Sequence, residues 1–181
     1  MRALADLQTQ LKRARGANAV RWVTPAGIHL TLKFLGDVDA EKIPAIEQAV
    51  AEACAGSAPF TLKFAGIGAF PNTRRPSVVW VGVGGDVERA GLLAEKIEDN
   101  CLALGLARDA RAFAPHLTIG RAKQDARADD VRLVGEMIER AERIELPEFR
   151  VERVSVMQSV LKPSGSVYTR LAIVELAERK N

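Results

Sequence analysis

The chain has 181 residues, 48% apolar and 27% charged, a composition that suits one globular domain or two small lobes sharing a core and needs no disulfide or metal scaffold. Its net charge of +3 is compatible with an anionic ligand but singles none out. Two cysteines without CxxC spacing argue against a zinc site, and no apolar run approaches the roughly 18 residues of a membrane span.

In chain order, the apolar patterning predicts a helix over Ala3–Ala14 and a short extended segment over Val20–Val23. His29–Leu35 alternates like a strand. Ala40–Ala55 reads as a helix with Asp39 as a candidate N-cap. Phe60–Phe70 and Val78–Val83 read as strands around the turn segment Pro71–Pro76, and Gly82-Val83-Gly84-Gly85 reads as a turn. Asp86–Leu104 is a predicted helix, with Gly105 placed as a C-terminal stop. His116–Arg121 follows as a strand and Asp129–Arg143 as a helix laced with both charge signs. Phe149–Leu161 and Ser166–Leu176 close the chain as strands around the Pro163–Gly165 turn. Cys54 and Cys101 fall in helical stretches and are expected to be reduced, buried thiols. Met1–Gln10 is too polar for a signal-peptide core, so a cytoplasmic protein is expected.

This order repeats itself. After His29, and again after His116, come a strand, a helix, a long strand, a turn and a strand. Ala58-Pro59-Phe60 and Leu146-Pro147-Glu148-Phe149 open the two long strands. The expected fold class is α+β: two pseudo-symmetric lobes of antiparallel sheet with helices packed outside, forming one bilobal domain over residues 1–181 with a central cleft. The second copy has a strand, Val78–Val83, before its leading helix, and the first copy has no counterpart. A sheet lacking its first strand is therefore expected, with an exposed edge.

The two histidines of the chain each open the same tetrad, His29-Leu30-Thr31-Leu32 and His116-Leu117-Thr118-Ile119. With seven threonines in the chain, two chance His-x-Thr matches come to roughly 0.15% by composition counting. On a strand, residues two apart share a face. His29 would then stand beside Thr31 and His116 beside Thr118, with Leu30, Leu32, Leu117 and Ile119 on buried faces. Two imidazoles and two hydroxyls around one ligand suit phosphodiester chemistry. One neutral ring takes a proton from the attacking water, and the other, protonated, gives one to the departing oxygen. The hydroxyls donate to non-bridging oxygens. The spacing does not say which histidine does which.

With these tetrads, the chain resembles the 2H phosphoesterase superfamily, and more closely the RNA 2',3'-cyclic phosphodiesterase family, historically called 2'-5' RNA ligases. The likeness runs from about Ala5 to Leu176. It includes Trp22-Val23-Thr24-Pro25 before Ile28-His29-Leu30-Thr31-Leu32-Lys33-Phe34-Leu35-Gly36. It includes Gly66-Ile67-Gly68-Ala69-Phe70-Pro71 before Arg74-Arg75-Pro76, the strand Val78–Val83, and Phe113-Ala114-Pro115-His116-Leu117-Thr118-Ile119-Gly120-Arg121. The resemblance implies His29 as proton donor, His116 as acceptor, Thr31 and Thr118 as phosphate ligands, no cofactor and no metal. It implies hydrolysis of a cyclic phosphate end to a 2'-phosphomonoester. Members usually begin with an apolar strand that this sequence lacks.

Further substrate-binding candidates are Arg121, which follows the second tetrad, Arg74 and Arg75 in the turn after Pro71, and Lys33 and Phe34 after the first tetrad. Phe113 and Tyr168 are further stacking candidates. The expected partner is RNA or a nucleotide ending in a 2',3'-cyclic phosphate, with no membrane and a monomeric enzyme. The alternatives are the same chemistry on another cyclic nucleotide or a 2'-5' linkage, reverse ligation included, and a non-catalytic RNA- or nucleotide-binding module. Two complete tetrads favour an enzyme.

Overall fold

A computed structural model describes residues 2–141, 147–162 and 165–177. Among them are four α-helices, α1 (Arg2–Leu11), α2 (Ile43–Cys54), α3 (Val87–Ala103) and α4 (Ala128–Ala141). There are seven strands, β1 (Val20–Trp22), β2 (Phe60–Phe70), β3 (Val78–Gly85), β4 (His116–Ala122), β5 (Phe149–Val151), β6 (Arg153–Lys162) and β7 (Gly165–Glu175). The ladders of β1 with β4, β3 with β4, β2 with β5 and β6 with β7 are antiparallel, so the fold is the α+β class expected from the sequence. The described residues divide into two compact units, each woven from three stretches of chain rather than from one half of it.

The first unit takes in Met1–Leu30, Lys63–Gly84 and His116–Glu148. Its strands run β1-β4-β3-β2. Leu4, Leu7 and Leu11 of α1 are buried, as are Val134, Met137 and Ile138 of α4 and Val79, Val81, Leu117 and Ile119 of the sheet. Each such side chain contributes roughly 1.5–3 kcal/mol by leaving water. The helix α1 stops three residues short of the expected Ala14. Its last turn tightens, with Ala14 N donating to Leu11 O at 3.0 Å, and the chain then turns at Gly16 in the left-handed region (φ 86°). A Cβ on Gly16 would stand 2.8 Å from the backbone nitrogen of Val134 in α4, so glycine is required here both for conformation and for close approach.

The second unit takes in Thr31–Leu62, Gly85–Pro115 and Phe149–Asn181. There α2 packs against α3, burying Ile46, Val50, Ala53, Leu93, Ile97 and Cys101. Asn100 Nδ2 donates to Ala49 O at 2.9 Å across that contact. β5 pairs with the first three residues of β2, and β6 and β7 form a two-stranded ribbon. Cys54 and Cys101 are buried free thiols. Burial pushes Cys54 up to about 11, against the pull of the Lys96 charge.

Several expected elements change shape. His29–Leu35 does not form a strand: only Leu30 makes a bridge, to Leu117, and the residues after it run without a ladder. The expected Ala40–Ala55 helix begins as a 3-10 turn, Ala40–Lys42, before α2, and Asp39 sits at the cap position without a side-chain cap bond. Gly82–Gly85 is not a turn but the end of β3. The strand expected over Phe149–Leu161 breaks at Glu152 into β5 and β6, which join different partners. The last two residues of the expected Asp129–Arg143 helix, and Pro163 and Ser164 of the Pro163–Gly165 turn, lie outside the described residues.

Gly135 offers a test of the packing between α4 and the turn after β2. A Cβ there would lie 2.2 Å from the Thr73 carbonyl oxygen. Alanine gains about 1 kcal/mol of helix propensity, but displacing a packed backbone costs about 1–3 kcal/mol. Gly135→Ala is expected to lower the unfolding free energy in a urea titration. A stabilised variant would mean that the turn yields at no cost.

Candidate active site

β4 places the second tetrad. Its pleat buries Leu117 and Ile119, 5% and 0% exposed, and leaves His116 and Thr118 half-buried on the other face. Across the ladder, Trp80 of β3 stands opposite Thr118 and Gly82 opposite His116. Paired residues share a face, so the Trp80 indole lies on the tetrad's side of the sheet. Gly68 of β2 makes room for it: a Cβ there would sit 2.3 Å from the indole ring. Phe70, two residues further along β2, packs on Trp80 with ring centroids 5.3 Å apart and meets the His116 ring edge-on at 5.0 Å. His116 is therefore held against an aromatic shelf rather than standing loose on a strand.

The first tetrad reaches the same unit by another route. The chain leaves β1 at Trp22 and passes through the 3-10 turn Pro25–Gly27. His29 is exposed, and its Nδ1 lies 2.8 Å from Gly27 O. A carbonyl only accepts, so Nδ1 carries the hydrogen and proton exchange falls to Nε2. The antiparallel bridge Leu30↔Leu117 puts His29 opposite Thr118 by register. Both histidines and Thr118 thus belong to the first unit, while Thr31 is an exposed residue of the second.

The other candidates separate clearly. Arg121 is exposed at the end of β4 and stands directly opposite Arg21 of β1, also exposed. Two like charges so placed repel each other, and a bound anion would relieve that repulsion. Arg74 and Arg75 are exposed in the turn after β2, their backbone N–H groups donating to Asn72 Oδ1 at 3.0 and 3.1 Å. Phe34 is 72% exposed in the second unit. Phe113 and Tyr168 are half-buried. Lys33 does not fit the substrate-binding role read from its position. Its side chain is 2% exposed, and its ammonium donates to Glu98 Oε1 at 2.7 Å and to Ala107 O at 2.9 Å. No ladder holds the residues after Leu30, so this buried ion pair takes over the work of anchoring them.

Four residues escaped the sequence reading: Phe70, Trp80, Arg21 and Gln8. Gln8 carried a signal, a polar residue at helical spacing among Leu4, Leu7 and Leu11. It is 1% exposed and donates to Val23 O and Ile119 O, both at 2.8 Å. Among the described residues no group of three or more His, Cys, Asp or Glu side chains is placed to hold a metal ion, and no helix is long and apolar enough to cross a membrane.

Both imidazoles thus sit in one unit of an α+β scaffold, with Thr118 opposite His29 by register and two residues from His116 on β4. The chain belongs to the LigT-like phosphoesterase family, whose model matches residues 1–80 and 84–168, one tetrad in each segment. It is 35% identical to the RNA 2',3'-cyclic phosphodiesterase of Methanothermobacter thermautotrophicus over 96% of this chain and 90% of that protein. It is also 35% identical to the enzyme of the same name from Archaeoglobus fulgidus, over 91% of this chain and 89% of that one. Its fold matches a crystal structure of a Thermus thermophilus protein, with TM-score 0.77 and 27% identity over 99% of this chain and 92% of that one.

Glu98 gives the second unit a pH signature. Burial alone would raise its carboxyl pKa. The Lys33 ammonium, the Asp109 N–H and the charge of Arg108 outweigh burial and hold it below the usual carboxylate range. A carboxyl depressed in the folded state adds stability above its unfolded pKa and loses it as pH falls through the folded one. Wild-type protein should therefore lose stability more steeply than Glu98→Gln as pH falls from about 5 through the folded pKa of Glu98. Equal slopes in urea titrations across that range would remove the ion pair from the account.

Proposed function

We propose that the chain is an RNA 2',3'-cyclic phosphodiesterase that opens the cyclic phosphate to a 2'-phosphomonoester by acid–base catalysis between His29 and His116, without a metal ion. The observation that carries the reading is the Leu30↔Leu117 bridge, which joins the two histidine-bearing segments one residue from each ring. The name shared by the curated relatives supports the substrate class.

In this mechanism His116 takes a proton from water as its oxygen attacks phosphorus, and the bond from phosphorus to the ribose 3' oxygen breaks. His29 returns a proton to that oxygen through Nε2. Thr31 and Thr118 donate to the non-bridging oxygens, where charge must be held in the transition state. Release of strain in the five-membered ring lowers the barrier that the two rings must address. Arg121 with Arg21, and Arg74 with Arg75, supply positive potential for the RNA backbone. Phe34 is the exposed platform for a base. The bilobal chain over residues 1–181 acts as one catalytic domain, as a monomer in the cytoplasm.

A positioned acid or base is worth about 10²–10⁴-fold in rate. His29→Ala and His116→Ala are each expected to lower turnover of a cyclic-phosphate-ended RNA by at least about 100-fold, with urea unfolding curves near wild type. Wild-type rates in either variant would end the assignment. Binding of the RNA without turnover by the wild-type protein would instead mark a binding module. Turnover should be the same with and without a chelator, whereas strict dependence on a divalent ion would replace the two-histidine mechanism. Arg74→Ala/Arg75→Ala should weaken RNA binding and flatten its dependence on salt by a slope of about 1–2. An unchanged slope would place the turn away from the RNA.

A further inference from the structure

The carboxamide of Gln8 ties together the two stretches of chain that carry the histidines. One end of the tie is the carbonyl of Val23, where the chain has just left β1 on its way to His29, and the other is the carbonyl of Ile119, the last residue of the second tetrad. Both accept from Gln8 Nε2 at 2.8 Å, and Val23 N itself donates to Ile119 O at 3.0 Å. The side chain comes from α1 and is 1% exposed, and its bond to Ile119 O is buried. Its Oε1 is buried without a hydrogen-bond partner. A buried acceptor left unpaired costs free energy, and a methionine of similar length would avoid that cost while filling the same space. Stability is thus a poor reason for an amide at this point. Geometry is a better one, because two N–H donors on one nitrogen fix the separation of two carbonyls, and a thioether fixes nothing.

We infer that Gln8 is a positioning residue, which sets the spacing of the His29 and His116 segments and through it the reach of both imidazoles to one phosphate. The inference rests on the acid–base reading of the two histidines. Acid–base catalysis requires each ring within hydrogen-bond reach of its proton, and displacements of about 1 Å cost about 10²-fold in rate. Loss of the tie should therefore appear in the chemical step and not in binding.

The test is single-turnover kinetics of Gln8→Met on a cyclic-phosphate-ended RNA, with KM, a pH–rate profile and a urea unfolding curve. The expected result is cooperative unfolding, a chemical step slowed by about 10- to 100-fold, KM within about threefold, and altered limbs of the pH–rate profile. A chemical step and profile equal to wild type would overturn the inference, as would a loss that only follows the fraction unfolded. If Gln8→Met does not fold, Gln8→Glu decides the matter. Its carboxylate faces two carbonyl oxygens at neutral pH, but once protonated it again donates to one of them. Its rate relative to wild type should rise as pH is lowered from about 8 to about 5, and a ratio that does not change with pH would overturn the inference. A wild-type rate in Gln8→Met with dead histidine variants would sink this inference alone. Active histidine variants would sink the reading beneath it.

Discussion

The pleat of β4 is the constraint on which the site depends. Side chains alternate across a strand, so burying Leu117 and Ile119 in the core obliges His116 and Thr118 to face the other way. Moving the register of β4 by one residue would put both polar groups into the core and two large apolar groups into solvent, at a cost of several side-chain transfers of roughly 1.5–3 kcal/mol each. The hydrophobic core thereby fixes the orientation of a ring that takes no part in it. The ladder to β3 then selects that ring's neighbours, Trp80 and Gly82, and Phe70 closes the aromatic side.

The first tetrad has no such ladder, and different forces hold it. One bridge at Leu30 and a bond from the His29 ring to its own turn locate the histidine. Beyond Thr31 the chain is anchored by the buried ammonium of Lys33 on Glu98 and on the carbonyl of Ala107. An ion pair taken out of water contributes little net stability when compared with apolar packing, yet breaking one partner is costly because the other charge is left buried. The pair therefore acts more as a locator than as a source of stability. Asp109 N–H also bonds to Glu98, so the same carboxylate orders the segment that runs toward β4.

Much of this was legible in the chain. The bounds of β2, the start of β4 and the α+β class follow from periodicity, and the tetrads from the repeat of one short pattern. What escaped is what periodicity does not encode. His29–Leu35 alternates like a strand, but a strand requires a partner along its length, and only Leu30 has one. Lys33 reads as a surface cation because lysine is seldom buried, and its counter-charge lies 65 residues away. The meeting of Arg21 with Arg121 depends on the register of two strands far apart in sequence. Gly68 explains itself only once the Trp80 indole is seen above it. Gln8 was the exception: a polar residue on an apolar helical stripe is visible in the sequence, though its two acceptors are not.

The two tetrads are nearly identical as sequences, yet the proposed mechanism has one ring give a proton and the other take one. The difference must then come from their surroundings. His29 is exposed, follows a short turn, and has its Nδ1 hydrogen committed to the Gly27 carbonyl. His116 is half-buried on a fully laddered strand with the Phe70 ring packed nearly perpendicular to it. A duplicated motif has therefore been set in two unlike frames, a solvent-facing turn and an aromatic-backed sheet. In the proposed mechanism that inequality is the physical basis on which equivalent side chains take opposite roles in two proton transfers, one accepting from water and one donating to the leaving oxygen.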